Sequence, residues 1–127
     1  MFEKIEMMRM ARAMGQHAAQ RQVVVARNIA NADTPGYRAQ DLGSFEAGYR
    51  QAGAGALRVT NARHLASPDW SPASRIVTPE GETSPNGNSV SLEEEMLKAA
   101  ELKRQHDLSL GIYRSGLDLM RSSLGRR

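Results

Sequence analysis

The sequence predicts a mainly α-helical protein whose two long terminal helices pair as an antiparallel, coiled-coil-like hairpin. Apolar residues recur at helical spacing at both ends of the chain, and residues 41–90 hold four of the five prolines. Aromatic residues make up only 5% of the chain and there are seven methionines, which suits contacts between helices better than a sheet core. We therefore expect an N-terminal helix in residues 1–33, a turn and loop segment in residues 34–90, and a C-terminal heptad helix in residues 91–127.

The first predicted element is a long amphipathic helix over residues 3–32. Its apolar stripe repeats at the spacing of one helix face and consists of Met7, Met10, Ala11, Met14, Ala18, Val25 and Ile29. Methionine and alanine dominate this stripe, which makes it weak as the core of a solitary domain. We expect Met7, Met14 and Val25 to lie at the helix pair and at an assembly interface.

The N-terminal helix is predicted to end in a specific turn. Asp33 and Thr34 can hydrogen-bond nearby backbone groups and so compete with helix geometry. A residue before proline is also pushed out of the helical region, which affects Thr34. Pro35 and Gly36 supply the fixed φ and the positive φ of a type II turn. Tyr37 then offers one large ring that can pack back on the turn.

The middle of the chain has a different character. Residues 41–90 contain six of the eleven glycines as well as most of the prolines. Short extended pieces are plausible at residues 57–60 and 75–78. We expect this segment to be mostly loop, with at most a short β-hairpin.

The last predicted element is the clearest helix. Ser91 followed by Glu94 is a capping box, and three consecutive glutamates place negative charge at the positive end of the helix. A heptad seam follows, with one row at Met96, Lys103, Leu110, Leu117 and Leu124 and an alternate row at Leu92, Ala99, His106, Tyr113 and Met120. This repeat favours a coiled-coil contact, and an ordinary helical hairpin within one domain is the alternative. We expect the pair and assembly interface to be anchored by Leu110, Tyr113, Leu117, Met120 and Leu124.

The composition argues against several classes of function. The chain has no cysteine, which excludes a disulfide framework, a thiolate nucleophile and a cysteine zinc site. His17, His64 and His106 are scattered without ligand-like spacing, so we predict no metal, no cofactor and no small-molecule substrate. No spacing of serine, histidine or carboxylate residues points to catalysis, and we predict that the chain is not an enzyme. Neither a membrane-spanning stretch nor a cleavable secretory signal is visible.

Two separated segments resemble a known family. Asn28 to Tyr37 is similar to the signature of bacterial flagellar rod, hook and hook-associated proteins. Its family motif and turn residues are Asn28, Ile29, Asn31, Asp33, Thr34, Pro35, Gly36 and Tyr37. The segment Asn86 to Met96 resembles the Gly-Asn-x-Val element that precedes the last helix of the proximal-rod subunits, although Ser91 stands where that family often has aspartate. Val59-Thr60 with His64-Leu65 resembles a further mid-chain element of those subunits.

The resemblance implies a structural subunit of the flagellar basal body. Subunits of this family form the drive shaft that transmits torque, and their terminal helices pair and pack around a central export channel. The implied partners are copies of the chain, other flagellar rod proteins, the adaptor between membrane ring and rod, and the flagellar type III export apparatus. The implied location is the periplasm-spanning rod, which the chain would reach without a cleaved signal peptide.

Two alternatives remain at this point. The chain could be another flagellar axial component of the rod, or a small basic helical protein that binds nucleic acid. The net charge of +3 is compatible with the second alternative, but the charges are spread along the chain and no basic face is concentrated. We therefore expect no nucleic acid among the partners.

Overall fold

The computed structural model describes residues 2–54, 61 and 76–125. The elements in chain order are helix α1 (Phe2–Ala30), strand β1 (Asp41–Leu42), helix α2 (Phe45–Ala54), strand β2 (Ile76–Val77) and helix α3 (Leu92–Ser123). Helices α1 and α3 form the main contact of the fold. They run in opposite directions, because Asn28 contacts Glu95 at one end of the pair and Met8 lies against Gly116 towards the other. The predicted antiparallel helical hairpin is therefore confirmed.

Each helix of the pair presents a buried row that repeats every seven residues. On α1 this row is Ala11, Ala18 and Val25, and on α3 it is Glu95, Leu102, Ser109 and Gly116. A seven-residue repeat keeps one seam of each helix facing its partner over many turns, as in coiled coils. The central part of the seam is a small cluster in which Leu102 packs with Ala18, Val25 and Ala99.

The predicted period of the α3 seam is right, but its register is wrong by one residue. The row expected inside the pair is exposed at Met96 (61%), Leu110 (40%) and Leu124 (77%), and Tyr113 of the alternate row is also exposed. Leu117 and Met120 are half-buried. The sequence argument favoured the row with the largest apolar side chains, whereas the structure buries the adjacent row, which has small residues at Ser109 and Gly116, where the two helices approach closely.

The close approach is clearest at two glycines. A Cβ atom added to Gly15 would lie 2.9 Å from the Ser109 Oγ, and a Cβ atom added to Gly116 would lie 2.7 Å from the Met8 Cγ. Both distances are shorter than ordinary van der Waals contact, so a side chain at either position would require Ser109 or Met8 to shift. Of the predicted α1 interface residues, Val25 is buried, while Met7 and Met14 are half-buried.

Strand β1 of a small antiparallel sheet contacts α1, and helix α2 begins beside His17 of α1. Strand β1 pairs with β2 in the register Asp41 to Val77 and Leu42 to Ile76. The extended piece predicted near residues 75–78 is therefore confirmed at Ile76–Val77, and it belongs to the short two-stranded sheet that the prediction allowed. The piece predicted at residues 57–60, and the resemblance at Val59-Thr60 and His64-Leu65, lie outside the described residues.

Helix α2 is an element that the prediction of a mostly loop segment over residues 41–90 did not include. The Ser44 hydroxyl accepts a hydrogen bond from the Ala47 amide at 3.4 Å, which satisfies one of the free donors at the start of this helix. The Phe45 ring lies 5.7 Å from the buried His17 ring, whose Nε2 is 2.9 Å from the Gly43 carbonyl oxygen. These contacts with α1 stabilise helix α2, although the glycines within α2 disfavour helix formation.

The glycine contact of the helix pair gives a matched pair of substitutions. Gly116→Leu should lower the free energy of unfolding by about 1–3 kcal/mol, because the new side chain overpacks against Met8. Gly111→Leu is the control on the same helix, where a Cβ atom would meet nothing within 4 Å, so the better helix propensity of leucine should leave stability unchanged or raised. Urea unfolding followed by circular dichroism at 222 nm measures both. Equal effects of the two substitutions would contradict the close approach at Gly116.

Candidate functional site

The family-like motif begins at Asn28, whose side chain is fully buried. Its Nδ2 donates to the Gln40 carbonyl oxygen at 2.7 Å and to the Glu95 Oε2 at 3.0 Å. Its Oδ1 accepts from the Gln40 amide at 3.1 Å and from the Tyr37 hydroxyl at 3.3 Å. One carboxamide therefore links α1, the segment that follows the turn, and the first turn of α3.

A second buried asparagine, Asn88, closes the end of α1. Its Nδ2 lies 2.8–2.9 Å from three carbonyl oxygens, those of Asn31, Ala32 and Thr34, and donates to them. Carbonyl groups at a helix end lack partners within the helix, so a donor from elsewhere stabilises the way the chain leaves it. The Asn88 Oδ1 accepts from the Val90 amide at 2.7 Å, which fixes the run-in to α3. We call Asn28, Asn88 and the residues that they bond the joint.

The turn between α1 and β1 has the predicted geometry. Gly36 has a φ of +74°, and the Tyr37 amide donates to the Thr34 carbonyl oxygen at 3.3 Å, as expected for a type II turn. Gly87 faces this turn, since a Cβ atom added to it would lie 3.3 Å from the Gly36 Cα. The two glycines allow the two backbones to approach closely.

The backbone after the turn runs beside the segment that precedes α3. The Gly36 amide donates to the Asn86 carbonyl oxygen at 3.0 Å, and the Ser89 amide donates to the Tyr37 carbonyl oxygen at 3.1 Å. The Ala39 amide donates to the Ser89 Oγ at 2.9 Å. The two segments that carried the family resemblance are therefore bonded directly to each other.

Ionic contacts extend the joint along the helix pair. The Arg21 guanidinium holds the Asp41 carboxylate with two hydrogen bonds of 2.6 and 2.7 Å. Lys98 lies 2.7 Å from the Glu95 Oε1 and 3.9 Å from the Asp41 Oδ2. Burial alone would raise the pKa of Asp41, but the hydrogen bonds from Arg21 and from the Leu42 amide, together with the nearby cations, outweigh it and lower that pKa. The bond to Asp41 in turn raises the pKa of Arg21.

The motif residues divide between the joint and the surface. Asn28, Asn31, Thr34 and Tyr37 bond within the joint through side chain or backbone, and the Gly36 amide bonds the Asn86 carbonyl oxygen beside it. Asp33 and Pro35 are exposed, and Ile29 is exposed on α1. Ser91 is the N-cap of α3 and its Oγ accepts from the Glu94 amide at 3.5 Å, as the capping box predicts.

Sequence reasoning missed the partners that complete the joint. In the sequence, Asn88 is distinguished only by its place in the resembling segment Asn86 to Met96, and Glu95 only as one of three glutamates at the start of a helix. Both are at least 98% buried and bond residues more than fifty positions away in the chain. Two features of the sequence indicate these partners. Asn88 lies within the second segment that resembles the family, and only one of three consecutive glutamates on a helix can face the partner helix.

The helix pair also carries an exposed apolar surface. Exposed large side chains on α3 and its C-cap are Leu92, Met96, Leu97, Leu108, Leu110, Tyr113, Leu119 and Leu124, and on α1 they include Ile5, Met10, Val23 and Ile29. These exposed side chains offer apolar area for burial against a partner. The place of Leu110, Tyr113, Leu117, Met120 and Leu124 in an assembly interface stays a prediction.

Within the described part of the chain, no group of three or more acidic or histidine side chains is arranged to hold a metal ion. None of the helices there is sufficiently long and apolar to cross a membrane. The joint contains polar side chains that are bonded to one another, so its chemistry is that of a structural contact.

The Asp41 contact gives a pH-dependent prediction. Because the folded-state pKa of Asp41 lies below its ordinary value, its ionised form stabilises the fold above about pH 4, and this contribution is lost as the pH falls through the folded-state pKa. Asp41→Asn should therefore lower the free energy of unfolding at pH 7 by about 1–3 kcal/mol, and its difference from the unmodified chain should shrink below about pH 4. Urea unfolding between pH 3 and 8 measures this.

The control is Glu101→Gln, which removes a surface ion pair with Arg104. Exposed pairs contribute little, so no resolvable change is expected at any pH. A constant difference between Asp41→Asn and the unmodified chain across the whole pH range would contradict the role of the Asp41 charge.

Comparison with known proteins identifies a family. The family described as "Flagella basal body rod protein" matches residues 11–38, which cover most of α1 and the turn. The chain is 36% identical over 121 residues to the flagellar basal body rod protein FlgB of Agrobacterium fabrum, covering 89% of this chain and 88% of that protein.

Two further relatives carry the same name. FlgB of Salmonella typhimurium is 34% identical over 116 residues, covering 84% of this chain and 83% of that protein. FlgB of Escherichia coli is 34% identical over 107 residues, covering 72% of this chain and 73% of that protein. Identity at this level over most of both chains establishes common descent and fold, and the chain therefore belongs to the FlgB family of flagellar basal body rod proteins.

Proposed function

We propose that this chain is a structural subunit of the flagellar proximal rod and polymerises through its terminal helices into the drive shaft that transmits torque for motility. Family membership supports a role in the rod. The observation that carries the proposal is the joint, which ties the end of α1, the turn and the start of α3 through two buried asparagines.

The joint suits the transmission of torque. A shaft transmits rotation only if its subunits do not twist within themselves, and a buried polar network in which each member is bonded resists such deformation. Breaking one bond would leave a buried polar group without a partner, at a cost of about 1–3 kcal/mol. The exposed apolar surface of the helix pair would then be buried against neighbouring subunits during assembly.

The proposal includes the partners and route that the family resemblance implies. The chain would contact copies of itself, other rod proteins and the adaptor between membrane ring and rod. The flagellar type III apparatus would export it, without a cleaved signal peptide, to the periplasm-spanning rod. In this proposal the chain acts as a structural part and not as an enzyme, and residues 1–33, 34–90 and 91–127 act as its N-terminal, turn-and-loop and C-terminal parts.

The turn provides the test. In cells that lack their own copy of the gene, Gly36→Val should fail to restore swimming, because a β-branched residue is strained at a φ of +74°. Gly81→Val is the control, since Gly81 is exposed and a Cβ atom there would meet nothing within 4 Å. Soft-agar motility and basal-body isolation measure the outcome, and we expect membrane rings without rod or hook for Gly36→Val. Intact flagella in cells without the gene would contradict the proposed function.

A further inference from the structure

The pair Asn86-Gly87 is chemically different from the other asparagine positions of the chain. Of the five asparagines, Asn86 alone is followed by glycine, and it is exposed. The backbone nitrogen after an asparagine can attack the carbon of the asparagine carboxamide. Glycine hinders this approach least, because it has no side chain and a backbone that turns freely. Asn86 is therefore the asparagine of this chain best suited to such a reaction.

In the folded chain, both reacting groups are engaged in hydrogen bonds. The Gly87 amide donates to the Ser84 carbonyl oxygen at 2.8 Å, which closes a β-turn. The Asn86 Oδ1 accepts from the Asn88 amide at 3.0 Å. The Gly87 nitrogen must lose the first bond before it can give up its proton, and the carboxamide must lose the second before it can turn towards that nitrogen.

Contacts with the turn after α1 hold this arrangement in place. The Asn86 carbonyl oxygen accepts from the Gly36 amide at 3.0 Å. Gly87 has a φ of +84°, and a Cβ atom on it would lie 3.3 Å from the Gly36 Cα. Asn88, the next residue, is buried and donates to three carbonyl oxygens at the end of α1. The Asn86-Gly87 pair can therefore move into a reactive geometry only when the joint opens.

We propose that Asn86 is a deamidation site whose reaction the closed joint suppresses. In the open joint, the Gly87 nitrogen bonds to the Asn86 Cγ, the bond from Cγ to Nδ2 breaks, and ammonia leaves with the proton of the Gly87 amide. Water then adds to one of the two carbonyl carbons of the cyclic imide, and the bond from that carbon to the Gly87 nitrogen breaks. One water is consumed and one ammonia is released, and the product at position 86 is aspartate or isoaspartate.

The joint accepts only one of these two products. Aspartate leaves the backbone unchanged, and its carboxylate can accept from the Asn88 amide as the carboxamide does. Isoaspartate routes the main chain through the side chain, which adds a methylene group before Gly87. It also makes the carbonyl that accepts from Gly36 part of a free carboxylate, so Gly87 no longer meets Gly36 in the same register. Isoaspartate formation is thus a one-way mark on chains whose joint stays open, whatever the chain assembles into.

The rate of deamidation in the folded and unfolded chain tests the site. The full chain is incubated at neutral pH with and without guanidinium chloride, and the peptide that contains Asn86 is analysed by chromatography and mass spectrometry, which separate asparagine, aspartate and isoaspartate. We expect the folded chain to react at least about tenfold more slowly, since an opening free energy of about 1.4 kcal/mol already gives this factor. Equal rates would overturn the protection, and no product in guanidinium chloride would overturn the site.

A distant substitution separates the joint from the reactive pair itself. Gly36→Val leaves the peptide around Asn86 chemically unchanged but strains the turn at a φ of +74°. Without denaturant, this variant should deamidate at least about tenfold faster than the unmodified chain, whether its joint opens locally or the whole chain unfolds. The matched control is Gly111→Val, because a Cβ atom at Gly111 would meet nothing within 4 Å, and its rate should equal that of the unmodified chain. Equal rates for the two variants would overturn the role of the joint.

Refolding tests the difference between the two products. Chains that carry isoaspartate after incubation in guanidinium chloride are isolated and refolded, and their urea unfolding is compared with that of Asn86→Asp. We expect Asn86→Asp to keep the unfolding midpoint of the unmodified chain and the isoaspartate chain to unfold at lower urea. Equal midpoints for the isoaspartate chain and the unmodified chain would overturn the one-way mark. A destabilised Asn86→Asp would also overturn it, because the new charge would then account for the loss.

Discussion

The Asn28 carboxamide is the contact on which the rest of this structure depends. It is fully buried, and both its donor and its acceptor are used. A carboxamide in this position fixes three things at once: the end of α1, the direction of the chain after the turn, and the start of α3 through Glu95. Glu95 lies in the first turn of α3, where the helix dipole favours its negative charge, and Lys98 compensates that charge further. The buried glutamate is thus tolerated because it has two polar partners.

The distribution of small and large side chains on the helix pair favours assembly with other subunits. Its internal seam uses alanine, serine and glycine beside Val25, Glu95 and Leu102, so only a few of its buried side chains are large and apolar. The leucines that would fill an ordinary core lie outside, at Leu97, Leu108 and Leu119. A subunit of this kind gains further stabilisation when neighbours bury those leucines, which links its folding to its polymerisation.

Local chemistry determined what could be predicted from the sequence. The two helices follow from apolar periodicity, the turn from Pro35-Gly36, and the N-cap from Ser91, because each feature depends on residues close together in the chain. The seam register was missed because apolar size favoured Met96 and Leu110, whereas close helix approach selects Ser109 and Gly116.

The joint was missed for a different reason. The bond between Asn28 and Glu95 spans 67 positions, and the bonds from Asn88 span 54 to 57, so no local pattern contains them. Helix α2 likewise depends on the distant His17, which local propensity does not include. The family resemblance contained the two segments that form the joint, but only the structure shows that they bond each other.

The most direct measurement of the central claim is a double-mutant cycle between Asn28 and Glu95. Asn28→Asp places a second carboxylate against Glu95, so the two negative charges repel each other in the folded state. Adding Glu95→Gln restores a donor and removes the repulsion. At pH 7 we expect each single change to destabilise the fold, and the double variant to be about 1–3 kcal/mol more stable than the sum of the two effects predicts. Additive effects of the two changes would contradict the account.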